Sequence, residues 1–243
     1  TYTLTGRNGA NIQARIGERM GNIYGAGFAR VEDPASPYFG QIIHNTSGTP
    51  ITSPTLKNQG NYNPDWMLGL QNNFSYKGIS LGFLFDYRHG GIVVSRTKTI
   101  GSTSGQLAET LLGRENGYDL TQPGNGIISE GVIRNADGSF TPNTIKITSR
   151  NWHNRYYERN NVEAAKYDAT FLKLREVTIG YTIPKSILGK MPIQDVKISL
   201  VARNLALWTE NPHFDPETMA MGGGTLIPGV EDMAFPSTRN IGF

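Results

Sequence analysis

Four aromatic side chains have the chemistry of recognition groups: Trp152, Tyr156, Tyr157 and Trp208. Flat apolar faces with polar edges can stack on sugar rings or on peptide side chains. The competing role is to pack long chain segments against each other or against a partner. His213 and Asp215 lie in an equally polar stretch and join them as candidate substrate- or lid-contacting residues. Asp215-Pro216-Glu217 also sets two carboxylates close together. Proline fixes φ there and the acids can cap nearby backbone, so a turn is favoured over acid–base work, and no partner base is visible. His44, His89, His153 and His213 stand apart, without metal-ligand spacing. The H-E-x-x-H, G-x-S-x-G and P-loop patterns are absent. Gly222-Gly223-Gly224 has no strand before it or helix after it, so it reads as a flexible loop rather than a phosphate cradle. The chain is therefore expected to be no enzyme, with no catalytic residue, no metal and no cofactor.

Composition narrows the class further. The 243 residues carry a formal charge of +3, too small a surplus to argue for nucleic acid. With no cysteine, a disulfide scaffold and a thiol nucleophile are both excluded. Aromatic and β-branched residues are too frequent for disorder, and 29 Gly with 13 Pro, spread along the chain, argue against a helical bundle. The reading is strands joined by turns and loops. No apolar run reaches the length of a membrane helix. That does not exclude a barrel, whose strands need only about 10 alternating residues, and the mean hydropathy of -0.37 suits one with large polar loops. The first residue is Thr1, so a mature form or a piece of a longer protein is expected.

The elements that must position these groups show a period of two. Trp66, Leu68, Leu70, Phe74 and Tyr76 alternate with Met67, Gly69, Gln71, Asn73 and Ser75. After Lys77-Gly78, Ile79, Leu81, Phe83, Phe85 and Tyr87 alternate with Ser80, Gly82, Leu84, Asp86 and Arg88. This predicts a long hairpin with one apolar face. A second hairpin is expected from Val177, Ile179, Tyr181 and Ile183, through a turn over residues 184–193 that carries Lys185, Lys190 and Pro192, to Val196, Ile198, Leu200 and Ala202. The apolar phase slips at Arg203-Asn204, which predicts a bulge with Asn204 satisfying freed backbone groups. A last short strand begins near Thr238. Residues 1–65 are less regular, with a strand expected from Ile23 to Val31. Residues 91–166 and 209–236 form long loops whose low apolar content predicts no core of their own, only ordering by a partner or a barrel rim.

Alternation alone fits both a soluble β-sandwich and a membrane barrel. Residue types favour the barrel. The polar face from Met67 to Ser75 carries no charge, and Trp66, Tyr76 and Tyr87 sit at strand ends like an interfacial girdle. Ten tilted residues cover roughly 23 Å, close to the apolar band of such barrels. Leu68, Leu70, Phe74, Leu81, Phe83 and Phe85 are expected to face lipid, and Gln71, Asn73, Gly82 and Asp86 a lumen or plug. Short turns at one strand end and long loops at the other complete the pattern.

The stretch from Phe171 to Pro184 (FLKLREVTIGYTIP) resembles a signature of the SusC/RagA family of TonB-linked outer-membrane proteins. So do Val201-Ala202-Arg203-Asn204-Leu205-Ala206-Leu207-Trp208, Phe214-Asp215-Pro216-Glu217 and Phe235-Pro236-Ser237-Thr238-Arg239. Asn63-Pro64-Asp65-Trp66, Phe74-Ser75-Tyr76-Lys77-Gly78 and Gly90-Gly91 are similar as well, in family order. The resemblance implies an all-β fold, an antiparallel transmembrane β-barrel segment of about seven strands from a larger, 22-stranded barrel. Residues 1–243 would be the C-terminal portion of that barrel, with long extracellular loops, and the plug domain and signal peptide would lie outside this chain. It implies import of oligosaccharides or peptides across the outer membrane of a Gram-negative bacterium. The partners would be a SusD-like surface lipoprotein, TonB acting through the plug, a glycan or peptide substrate and outer-membrane lipid. A soluble carbohydrate-binding or adhesin domain is the rival, which extraction without detergent would reveal.

Overall fold

The period-two stretches become strands of matching length in the computed structural model, which describes residues 1–7, 9–189, 192–193 and 195–243. Trp66–Tyr76 and Ile79–His89 are 11 residues each and pair in continuous register. Their turn needs two consecutive residues at positive φ, and Lys77 (46°) and Gly78 (83°) supply them. The second hairpin joins Phe171–Ile183 to Val196–Thr209. Within its turn, Lys190 and Met191 lie outside the described residues, as does Gln194. The two hairpins meet where Ile79–His89 pairs antiparallel with Phe171–Ile183. A short strand, Asn240–Gly242, adds to Val196–Thr209 at three positions. The result is a five-stranded antiparallel sheet, where about seven strands were expected. Arg88, Phe171 and Thr209 are neighbours across the ladders, so these strand ends share one end of the sheet, opposite the Lys77-Gly78 turn.

Register settles which side chains share a face. Leu70 opposes Phe85, and Phe74 opposes Leu81. Leu81 opposes Ile179, which opposes Leu200. One apolar face therefore runs across four strands, and much of it is open: Leu68 and Phe74 are each 57% exposed and Ile198 is 62% exposed. Trp66, Tyr87 and Trp208 lie at one end of this face, with Trp66 and Tyr87 rings 5.1 Å apart. Tyr76 and Tyr181 lie at the other, flanking Ile79. Gly69, Asn73, Gly82 and Asp86 occupy the opposite face.

The expected bulge is present. Between Leu174 and Glu176 the register shifts against both neighbours. One step on Ile79–His89 (Leu84 to Phe85) faces two steps on Phe171–Ile183 and three on Val196–Thr209 (Arg203 to Ala206). An extra residue thus accumulates with each strand, which bends and twists the sheet locally. Asn204 takes φ of 53°, and its amide nitrogen donates to the Thr238 carbonyl at 3.2 Å. The slip of apolar phase to odd residues does not turn this strand over, however. Two added residues restore parity, so Ala206 and Trp208 stay on the apolar face with Leu174 and Leu172. The single added residue, Arg175, flips the neighbouring strand instead.

The remaining chain corrects the expectation that the long segments lack a core. Thr1–Tyr62, Ile92–Tyr167 and Met219–Ala234 form a compact unit, while the five-stranded sheet with its adjoining segments forms another. Ala10, Ile12 and Ile23 from the first segment pack with Val94, Val162 and Ala165 from the second and Ala220, Ile227 and Val230 from the third. Each segment alone is too polar to fold, and pooled they bury one continuous cluster. Gly25 permits the approach: a Cβ there would stand 2.5 Å from Val162 Cγ2. The strand expected from Ile23 to Val31 is shorter, Asn22–Gly25, with isolated bridges at Ala26, Phe28 and Arg30 beyond it. It lies inside a four-stranded sheet with Tyr2–Arg7, Ala10–Ala14 and Lys57–Asn61. Parallel pairing of Val230 with Val94 ties the third segment to the second. Beside that pair the buried Glu231 carboxylate accepts from the Ser95 and Thr97 hydroxyls at 2.7 and 2.5 Å, meeting the demand of a charge removed from water. Strands dominate, and among the described residues no helix is long and apolar enough to cross a membrane.

Candidate functional site

Two helices position the aromatic candidates. Helix α1 (Arg96–Ser104) begins with Ser95 accepting from the Lys98 amide and ends at Gly105 in the left-handed conformation. Helix α2 (Ser149–Tyr156) begins with Thr148 accepting from the Asn151 amide. On α2, Trp152 and Tyr156 are four residues apart and so share a face; their rings stack with centroids 4.6 Å apart. Tyr156 meets Phe28 at 4.7 Å, and Tyr157 stacks on His153 at 6.0 Å. Lys98 Nζ sits 4.8 Å over the Tyr157 ring. Burial pushes the Tyr156 and Tyr157 hydroxyls up and that of Tyr167 up to about 12, so all three stay protonated at neutral pH. The same burial pushes His153 below the usual imidazole range and leaves it neutral.

Trp152, Tyr156 and Tyr157 therefore come together, yet they spend much of their flat surface on each other and on Phe28. Trp208 does not join them. It stands on the apolar face of the sheet at the level of Trp66 and Tyr87, 52% exposed, the position of an interfacial anchor. His213 is half-buried, two residues before Asp215.

Asp215 belongs to a network that the sequence reading did not foresee. Lys173 Nζ donates to both Asp215 carboxylate oxygens, at 2.8 and 2.6 Å, and also to Glu217. Lys173 and Asp215 are 6% and 8% exposed. Arg175 forks between Asp86 Oδ2 at 2.5 Å and both Glu217 oxygens at 2.7 and 2.5 Å. Burial would raise the Glu217 carboxyl, but the Arg175 and Lys173 hydrogen bonds outweigh it and hold the group below the ordinary value. The expected turn is also real, since Asp215 Oδ1 accepts from the Glu217 amide at 3.0 Å. The signal for the network was the pair of alternate cations Lys173 and Arg175, which with Glu176 are the charged residues of this strand. Each carboxylate is answered by a cation, so this arrangement locks a loop to a sheet rather than supplying a free acid or base.

No family model matches the chain. It is 24% identical over 220 residues to TonB-dependent receptor P3 of Formosa agariphila, covering 84% of this chain and 19% of that protein. TonB-dependent receptor P26 of the same organism is 24% identical over 182 residues, 73% of this chain and 16% of the relative. The chain thus spans about a fifth or less of the curated relatives it matches. Among solved structures, the RagAB peptide importer in its closed-closed state aligns with a TM-score of 0.55, at 18% identity, over 98% of this chain and 24% of that one. A structure of the RagAB peptide transporter gives 0.54 at 19% identity, over 90% and 22%. The sequence relatives are TonB-dependent receptors and the fold neighbours are RagAB structures, and both are in keeping with the aromatic-edged sheet.

Proposed function

We propose that residues 1–243 are the C-terminal portion of an outer-membrane barrel that imports large nutrients, oligosaccharides or peptides, in a Gram-negative bacterium. The observation that carries the reading is the apolar face spanning four strands, with aromatic rings at both ends. Such a face is stable against lipid and costly against water. Its edges support the reading too. Among the described residues, Trp66–Tyr76 has one paired neighbour, and Val196–Thr209 is covered on its outer side at three positions. Unpaired backbone in hydrocarbon is prohibitive, so further strands must complete the ring, 22 in the family resemblance. A plug supplied by the rest of the protein would take energy from TonB. A SusD-like lipoprotein would cover the end of the barrel where the long segments emerge. The names of the relatives, TonB-dependent receptor and RagAB peptide importer, support transport rather than catalysis.

The test is uptake by cells that carry or lack the full receptor. With the receptor present, a labelled oligopeptide or oligosaccharide should enter, entry should stop when TonB is removed, and the receptor should co-purify with a surface lipoprotein. A chain that is released from cells without detergent, with uptake unchanged by its loss, would refute the reading and favour a soluble binding domain.

A further inference from the structure

A polar recess lies beside the aromatic cluster and shares His153 with it, between the end of α1, the start of α2 and the segment that follows α1. It is about 290 Å³, and Thr103, Thr110, Arg114, Tyr118, Arg150 and His153 are among its walls. Its hydrogen-bonding capacity is one-sided. The Thr103 hydroxyl donates to the Thr99 carbonyl at 2.9 Å and the Thr110 hydroxyl to that of Leu107 at 2.6 Å, so neither proton is free for a ligand. Arg114 donates to the Gly105 carbonyl and to the Thr110 and Tyr118 oxygens, at 3.2, 3.2 and 3.3 Å. That fixes the Arg114 guanidinium in place and leaves the Tyr118 proton unspent. Arg150 is exposed and makes no ion pair or hydrogen bond among the described residues. No carboxylate lines the recess, and neither arginine has a carboxylate partner among the described residues. Glu109, the nearby acid bonded to Ser102, is claimed by Lys98.

Two unanswered guanidiniums and a free phenol proton in a concave polar site call for an anion. A guanidinium fork presents paired N–H groups at the spacing of a carboxylate. We propose that this recess binds a ligand carboxylate, gripped by Arg150 and Tyr118 over the fixed charge of Arg114. The inference rests on the import reading and narrows its substrate to nutrients carrying an acid group. Two sources share that chemistry, the free C-terminus of a short peptide and the acid group of a uronic sugar.

The test uses the full receptor in detergent and four probes: an alanine tetrapeptide, its C-terminal amide, trigalacturonate and its methyl ester. Loss of a charge-assisted hydrogen-bond pair should weaken binding about tenfold or more. At least one acid should therefore bind about tenfold better than its neutral form, and which acid does so names the source. Arg150→Gln should erase that difference, and Arg150→Lys should keep part of it. Arg150 makes no ion pair or hydrogen bond among the described residues, so both variants should stay folded, with α1 and α2 protected from hydrogen exchange as in the parent. If neither acid outbinds its neutral form, or if Arg150→Gln keeps the preference, the proposal is wrong. Uptake by cells carrying Arg150→Gln separates the two readings: continued TonB-dependent entry of a neutral nutrient leaves import standing whatever the recess does.

Discussion

The two units of this chain handle apolar side chains in opposite ways. In the sheet, leucine, isoleucine and phenylalanine lie on an open face, while Lys173 and Asp215 are buried against the other. In the unit built from the long segments, Ile12, Ile23 and Val162 are almost wholly buried and the charges lie mostly outside. Each pattern suits a different solvent. A sheet whose apolar face meets hydrocarbon needs no core behind it, and its polar face can hold charge networks where water or a plug would be. A water-exposed unit must gather its few apolar residues from distant segments, because none holds enough alone.

Breaking the buried network should have the largest effect. Asp215→Ala leaves the buried Lys173 ammonium to Glu217 and removes the acid that takes two of its hydrogen bonds, and breaking a buried pair costs up to about 3–5 kcal/mol. Hydrogen exchange should accelerate along Phe171–Ile183, and the joint replacement Lys173→Met with Asp215→Leu should recover most of the loss. Next comes the apolar face. Phe83→Arg should cost about 2–4 kcal/mol near the bilayer midplane, read by equilibrium folding of the full receptor into vesicles. Asn73→Arg, on the opposite face one ladder position nearer the turn, should cost far less. Equal costs would erase the distinction between faces.

Much of the sheet was legible in the sequence, and little of the other unit was. Alternation is a local signal, so Trp66–Tyr76 and Ile79–His89 can be read from neighbours two apart. The core made by Ile12, Val162 and Ile227 joins residues more than two hundred positions apart, and no window along the chain contains it. The aromatic candidates divided for a similar reason. Trp152, Tyr156 and Tyr157 share a short helix and so stay together. Trp208 belongs to a strand, where register, fixed by partners far away in sequence, places it on the apolar face. The network around Lys173 was hidden because its acids lie about 40 residues further on and 90 residues back.

Smaller effects sharpen the comparison. Asn204→Ala should cost roughly 1–2 kcal/mol, because alanine tolerates positive φ poorly. Asn204→Gly should cost less, with loss only of the bond to Thr238. Thermal unfolding of the two variants should rank them in that order. Acid should act mainly on the unit of long segments. Burial lowers His44 and His153 below the 6.5 of free imidazole. The folded unit then takes up protons less readily than the unfolded chain, so this stability is fully present above 6.5 and falls as the pH drops through the folded values. Exchange at about pH 5.5 against about pH 7.5 should show faster opening of this unit at the lower pH. Replacing both histidines with glutamine should flatten that response.

The central claim is that the two faces of the sheet meet different solvents. The chain contains no cysteine, so a single one at position 83 or 82 can carry a spin label in the full receptor within vesicles. The label at position 83 should be relaxed by oxygen dissolved in lipid and shielded from a water-soluble nickel complex, and the label at position 82 should not share that lipid signature. Equal access of the nickel complex to both positions, with no oxygen preference at 83, would contradict the account.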